Sequence, residues 1–519
     1  MASASASSDD VSGRGQQSPV ASQRNRENGR NVQGAYFPLG YKEGFNQWWA
    51  GLSPVATEHR VLSFIPFLQA PPTHTKTGSA PASAAASSMD ISSDTTRKDQ
   101  LTTSNSITDP YGPRTWFSKL VPLPGKDRAL NEFSVERAGE EIENNLVMLH
   151  GYGAGLGFFY KNYEALSRTP GWKLYSLDML GMGRSSRPNF RIHAKDREGK
   201  ITEAENWFID ALEDWRIERK IERFTLLGHS MGGYMAVAYA LKYPGRLNKL
   251  ILASPVGIPE DPYAVSAEMP EPQDSTMANE FTQDQTASTQ AAQNNSINKA
   301  PKSAETPRKP LPKWLTYLWD ANISPFSVVR WAGPLGPRLV SGWSSRRFSH
   351  LPPEESQALH DYSYSLFRQR GSGEYALAYI LAPGAFARSP LIRRIQGVGR
   401  QYLGIHAGPT LDTTPTPSST STSPDRPREN GLPVVLMYGE HDWMDIAGGY
   451  AAEQKMKEEK DIALKGKSKE ERKKDQGEAK VVIIGKAGHH VYLDGFEEFN
   501  DVMIKEMKDV ERREREGRV

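Results

Sequence analysis

Gly228-His229-Ser230-Met231-Gly232 places a serine between two glycines, directly after the apolar run of residues 224–227 and before a helix-like stretch, residues 233–243. A G-x-S-x-G sequence in a strand–turn–helix setting is what a hydroxyl nucleophile needs. Ser230 must sit on a tight, strained bend to present its oxygen. Gly228 and Gly232 remove side chains that would collide across that bend. The helix that follows aims its first amides at the same point, where they favour a developing negative charge. The alternative is a glycine-rich turn with a bystander serine.

A second glycine cluster, His150-Gly151-Tyr152-Gly153-Ala154-Gly155, follows the apolar run 146–149. An H-G-x sequence after an early strand supplies one amide of an oxyanion hole, and the residue after the nucleophile supplies the other. Here those are Tyr152 (or Gly153) and Met231. The competing dinucleotide-binding reading fails on spacing. G-x-G-x-x-G would need glycine at Leu156 or Phe158, and neither is glycine.

The general base is expected late in the chain. Residues 481–484 run into Gly485-Lys486-Ala487-Gly488-His489-His490, and His489, directly after glycine, is the expected base, with His490 packing beside it. The acid is expected after residues 434–438, in Gly439-Glu440-His441-Asp442-Trp443-Met444-Asp445. Asp442, three residues past the glycine, is preferred and Asp445 is the rival. Either would orient the imidazole and stabilise its protonated form. The order Ser230, Asp442, His489 is that of the α/β-hydrolases, and acyl transfer through Ser230 is the chemistry it implies.

The elements that must carry these residues are legible in outline. Apolar runs at 146–149, 172–177, 224–227, 250–253, 434–438 and 481–484 alternate with helical patterns such as 204–217 and 234–243. Buried strands alternating with helices mean a mostly parallel sheet covered on both faces, with ligands at the strands' carboxyl ends. The 519 residues exceed what such a core needs. Residues 1–39 read as a polar N-terminus without a secretory signal, 40–70 as an aromatic amphipathic segment, and 71–110 as a low-complexity linker. The core is expected over 111–260 and 431–519, with a charged insert at 455–480. Residues 261–310 read as a disordered insert, 311–404 as a helical cap and 405–430 as a second linker. Polar stretches of this kind bury too little apolar surface to offset their ordering entropy.

Composition excludes several functions. There is no cysteine, hence no thiol nucleophile, disulfide or cysteine-held zinc. A net charge of +2 with scattered Lys and Arg gives no electrostatic case for nucleic acid. No apolar run is long enough to span a bilayer, so membrane contact would be peripheral. No metal or organic cofactor is implied.

Several segments together resemble one α/β-hydrolase subfamily, comprising the animal lipid-droplet lipase coactivator, the N-acyl-phosphatidylethanolamine lysophospholipases and the fungal mitochondrial cardiolipin-specific deacylase. They are GHSMGGYMAVAYALKYPGRLNKLILASPVGIP, SPFSVVRWAGPLGPRLV, GSGEYALAYILAPGAFARSPLIRRI and AGHHVYLDGFEEFN. The last holds an H-x4-D pattern, His489 to Asp494. The resemblance implies phospholipid deacylation, with cardiolipin leading, at a peripheral membrane or lipid-droplet surface, in the mitochondrion or alternatively the cytoplasm. The coactivator lacks the serine that this chain keeps, and in the animal members the acid aligns with Asp445. Asp494 has been discussed there as an acyltransferase residue, and a structural carboxylate is the reading preferred here.

Two regions bear on how lipid would arrive. Phe45, Trp48, Trp49 and Leu52, followed by Val61, Leu62, Phe64, Ile65, Phe67 and Leu68, suit a membrane interface or a helix packed on the body. In the aromatic-rich cap, expected to line an acyl pocket, Arg330, Arg338, Arg346 and Arg347 read as surface charges, with phospholipid phosphates as the alternative.

Overall fold

The computed structural model describes residues 38–68, 70–74, 100–102, 109–261, 264–265, 324–382, 385–403 and 427–517. The expectations for residues 1–37, 266–323 and 404–426, and for most of 71–110, lie outside these.

In chain order the main elements are α1 (Tyr41–Ala50), α2 (Pro54–Leu62), β1 (Gln100–Thr102), β2 (Arg114–Pro122), β3 (Ala129–Arg137), β4 (Asn144–Leu149), β5 (Trp172–Leu177), α3 (Arg197–Glu218), β6 (Phe224–His229), α4 (Met231–Lys242) and β7 (Leu247–Ala253). The cap helices α5 (Pro325–Trp331), α6 (Gly336–Arg347) and α7 (Pro353–Phe367) follow. The chain returns to the core with β8 (Pro433–Gly439), α8 (Ile446–Leu464), β9 (Glu478–Ile484), α9 (Val491–Asp494) and α10 (Phe496–Arg515). The nine strands form one sheet in the order β1-β2-β3-β5-β4-β6-β7-β8-β9. The pairs from β5 to β9 are parallel, and those among β1, β2, β3 and β5 are antiparallel.

The six parallel strands are the six apolar runs of the sequence. Residues of β6, β7 and β8 are buried along their whole length, as befits strands covered on both faces. The antiparallel β2 and β3 are not evident in the sequence, and the reason lies in their side chains. β3 buries Asn131, Glu132 and Ser134, which interrupt its apolar pattern. Each is paired inside: Glu132, for instance, accepts from Trp215 Nε1 at 2.8 Å and Arg219 Nε at 2.7 Å.

Three boundaries shift. Residues 455–464 of the charged stretch complete α8 and Glu478 opens β9, with a short helix, Lys469–Lys473, between them. His74 and Asp109, at the ends of the first linker, are buried, and Asp109 pairs with Arg114 at 2.7 Å. The aromatic N-terminal segment divides in two. On α2 and beyond, Val61, Leu62, Ile65 and Leu68 join the main core. On α1 the polarity is inverted. Gln47 turns inward, donating to Asp361 at 2.6 Å and accepting from His360 at 3.1 Å, whereas Tyr41, Phe45 and Trp49, four residues apart, face out. The cap presents a stripe of the same spacing, Trp331, Leu335 and Leu339, also exposed. Arg338, between the two, lies 3.9 Å above the Tyr41 ring.

Candidate active site

Ser230 follows β6 and caps α4 with φ 52° and ψ −116°, a conformation that only a tightly braced non-glycine residue holds. The bracing is backbone. The Ser230 amide donates to Ala253 at 3.0 Å, and its carbonyl accepts from Gly233 at 3.0 Å, Tyr234 at 3.1 Å and Val256 at 3.2 Å. A Cβ on Gly228 would lie 2.3 Å from the Gly232 oxygen, and one on Gly232 would lie 2.7 Å from the His150 and Leu149 oxygens. Both positions therefore admit only glycine, and the second shows how closely the start of α4 approaches the end of β4.

That approach brings the second glycine cluster to the serine. A Cβ on Gly151 would stand 3.0 Å from Ser230 Cβ. The His150 ring sets the orientation of the next peptide. Its Nε2 accepts the Met179 amide at 3.1 Å, so its Nδ1 carries the proton and donates to the Gly151 carbonyl at 2.7 Å. Fixing that carbonyl fixes the peptide plane, and the Tyr152 N–H points the opposite way. Met231, the first residue of α4, has an amide among those that no helical turn can satisfy. The Tyr152 ring stacks on Phe326 of α5 at 4.9 Å, and Phe326 on Phe367 of α7 at 4.4 Å, so the cap closes over this turn.

On the neighbouring strand ends, His489 Nδ1 donates to Asp442 Oδ1 at 3.1 Å, with both side chains almost wholly buried. Asp442 Oδ1 also accepts the Met444 amide at 3.0 Å. Burial opposes the charged carboxylate, but the adjacent His489 outweighs it and holds Asp442 below the usual range. Asp445 is exposed at the start of α8. His490 packs against Phe158, His229 and Tyr492, and burial with the nearby Arg347 keeps it neutral, well below the usual histidine range.

Residues 144–496 match the description of the alpha/beta hydrolase fold family. The chain belongs to the α/β-hydrolases. Among relatives of this α/β-hydrolase, a 1-acylglycerol-3-phosphate O-acyltransferase of Arabidopsis thaliana is 31% identical over 352 residues, 66% of this chain and 64% of the relative. The rat 1-acylglycerol-3-phosphate O-acyltransferase ABHD5 is 30% identical over 367 residues, 70% of this chain and 76% of the relative. The human (lyso)-N-acylphosphatidylethanolamine lipase is 27% identical over 398 residues, 75% and 85% of the two chains. The match spans 65% and 64% of the rice and Arabidopsis relatives' lengths, just under two thirds. These names carry the lipid-droplet and lysophospholipase branches of the resemblance and give no support to its cardiolipin-specific branch.

Several residues beyond the proposed triad also build this α/β-hydrolase site. His229 occupies a motif position that accepts any residue, yet its ring lies 4.8 Å from that of His489. The Trp443 ring packs on His489 as well, also at 4.8 Å. Asp494 accepts the Gly488 amide at 3.1 Å and pairs with two cap residues, Arg347 at 3.2 Å and His350 at 3.3 Å. Two of the cap arginines are thus not surface charges: Arg347 is buried on Asp494, and Arg330 is paired with Glu374 at 2.6 Å.

Proposed function

We propose that this α/β-hydrolase is a serine-dependent phospholipid acyl hydrolase acting at a lipid surface. The observation that carries the reading is the buried Asp442–His489 pair on the strand ends beside the strained Ser230 bend. Ser230 Oγ attacks the acyl carbonyl carbon while His489 takes its proton, and the tetrahedral oxyanion rests on the Tyr152 and Met231 amides. The bond to the alcohol breaks as His489 returns the proton to the departing lysophospholipid. Water then attacks the acyl-enzyme by the same base and releases a fatty acid. Asp442 stays ionised throughout and steadies the imidazolium.

A lipid substrate is supported by the relatives' names and by the paired outward stripes of α1 and the cap. Trp49 is 76% and Trp331 69% exposed, and interfacial tryptophan suits headgroup depth. Among the described residues no helix is long and apolar enough to cross a membrane. Cardiolipin as headgroup and the mitochondrion as compartment remain part of the proposal on the resemblance alone.

A second reading is acyl transfer to a lysophospholipid, favoured by the acyltransferase names of the plant and rat relatives. It uses the same acyl-enzyme with a lipid alcohol in place of water. Both are tested by incubating purified protein and its Ser230→Ala variant with mixed phospholipid vesicles, with and without a labelled lysophospholipid. Free fatty acid without acceptor supports hydrolysis, and labelled diacyl lipid supports transfer. A Ser230→Ala protein as active as the parent overturns both serine mechanisms, and a parent protein that forms neither product leaves a lipid-binding scaffold.

A further inference from the structure

The oxyanion turn is held from behind by side chains that no motif marks. Asp178 Oδ1 accepts the Leu156 amide at 2.8 Å. The Tyr362 hydroxyl, on cap helix α7, accepts the Gly157 amide at 3.4 Å. A Cβ on Gly155 would come within 2.4 Å of that hydroxyl and 3.1 Å of Asp178 Oδ1, so the turn is wedged between the two. Both supports meet at one carboxylate from a distant part of the chain. Glu58, on α2, accepts through Oε2 from the Tyr362 hydroxyl at 3.5 Å and from Asn131 Nδ2 at 3.1 Å. Asn131 Nδ2 also donates to Asp178 Oδ2, at 2.8 Å. Arg184 closes the ring: its guanidinium grips the other oxygen of Glu58, and its backbone amide donates to Asp178 Oδ2 at 2.7 Å. Arg184, Asp178 and Glu58 are all buried, so no water is at hand to replace a lost partner.

We propose that Glu58 is a positioning residue for the oxyanion turn. The N-terminal arm supplies the carboxylate that ties Asp178 and Tyr362, and through them the Leu156 and Gly157 amides, into one rigid support. The arm is then a working part of the catalytic apparatus and not only a docking segment. Without the Glu58 charge, Arg184 is left buried and half-paired. Asp178 and Tyr362 lose their common anchor, and the turn that carries the Tyr152 amide relaxes. Oxyanion donors act only where they already point at the developing charge, so the loss falls on the transition state more than on substrate binding.

The inference rests on the oxyanion role of the 150–157 turn, and its test uses the full chain with a soluble short-chain ester. Glu58→Gln, assayed at about pH 8.5 where Glu58 is ionised, keeps shape and an acceptor while removing the charge. It is expected to lower kcat by about tenfold with KM within about twofold, and to weaken a trifluoromethyl ketone inhibitor, which forms a tetrahedral adduct on Ser230, by the same factor. Tyr362→Phe deletes a single oxygen and is expected to act in the same direction, by about threefold. Rates are referred to sites titrated with a fluorophosphonate, which separates weaker catalysis from a smaller folded fraction. Parental kcat and ketone affinity per titrated site in both variants overturn the proposal. So does a loss of kcat unaccompanied by weaker ketone binding. Ester hydrolysis that survives Ser230→Ala instead overturns the underlying function.

Discussion

His229 Nε2 donates to the backbone carbonyl of His489 at 3.1 Å, so the residue before the proposed nucleophile clamps the loop of the proposed base. The imidazole is fully buried, and burial together with the neighbouring His489 keeps it neutral, well below the usual histidine range. It is thus a fixed donor, carrying its proton on Nε2 across the working pH range. His229→Phe keeps the ring volume and removes the donor. Leaving the carbonyl unpaired costs about 1–3 kcal/mol. Since the clamp sets the distance between nucleophile and base, we expect kcat to fall about tenfold with KM little changed. Steady-state kinetics on a soluble ester measure both, and an unaltered kcat would refute the clamp.

The two aspartates after β8 differ in what their substitution should do. Asp442 faces His489 from a buried site, whereas Asp445 is exposed at the start of α8. Asp442→Asn places an amide where the imidazole N–H must donate, favouring the wrong tautomer, and should lower kcat by about 10³–10⁴. Asp445→Asn should leave kcat within about twofold, as expected of an exposed side chain. The reverse ranking would transfer the acid role to Asp445.

What could be read in the sequence, and what could not, follows from which residues have freedom of type. Ser230, Gly228 and Gly232 stand at positions where geometry admits almost nothing else, so they form a motif. The six parallel strands are apolar because both faces are covered, and length plus β-branching mark them. β3 is not marked in the sequence because Asn131, Glu132 and Ser134 are inside it, and a polar residue in a strand looks like surface until its partner is seen. The same holds for Glu58: its partners Arg184 and Asn131 lie 126 and 73 residues away, and no local pattern announces a contact of that range. Asp442 and Asp445 are chemically equal in a sequence, and only the path of the loop after β8 separates them.

Stability should depend on pH through two buried carboxyls. Burial pushes Glu58 up to about 7, against the pull of Arg184 and with Asp178 adding to the rise. The groups facing it are Arg184, Asp178 and Tyr362, with His74 beside them, 2.5 Å from Asn131 and 3.3 Å from the Arg184 guanidinium. Asp361, between Gln47 and Arg60, is raised to about 6, again by burial. A carboxyl whose folded pKa lies above its unfolded value keeps a proton that the unfolded chain has released. The penalty is absent below about pH 4, grows as pH rises and is complete above the folded pKa. Urea unfolding should therefore show stability falling between about pH 4.5 and 7, and Glu58→Gln should flatten that slope. A parental slope in Glu58→Gln would contradict the assignment.

A helix that buries Gln47 and exposes Tyr41, Phe45 and Trp49 has its polar side spent on Asp361 and His360, so the aromatic side is held outward by its own hydrogen bonds. Trp331, Leu335 and Leu339 repeat the arrangement on the cap, and α5 joins that face to the site, since Trp331 ends the helix that begins beside Phe326. If both stripes enter a lipid surface, each tryptophan should withdraw roughly 100 Å² of apolar area from water, worth about 2.5 kcal/mol at ~25 cal/mol per Å². Trp49→Ala and Trp331→Ala should each weaken co-sedimentation with phospholipid vesicles by at least tenfold, and the double variant further, while soluble-ester hydrolysis by Trp49→Ala stays at the parental rate. A loss confined to Trp49→Ala would restrict the contact to α1, and a double variant that sediments like the parent would remove the lipid surface from the proposed function.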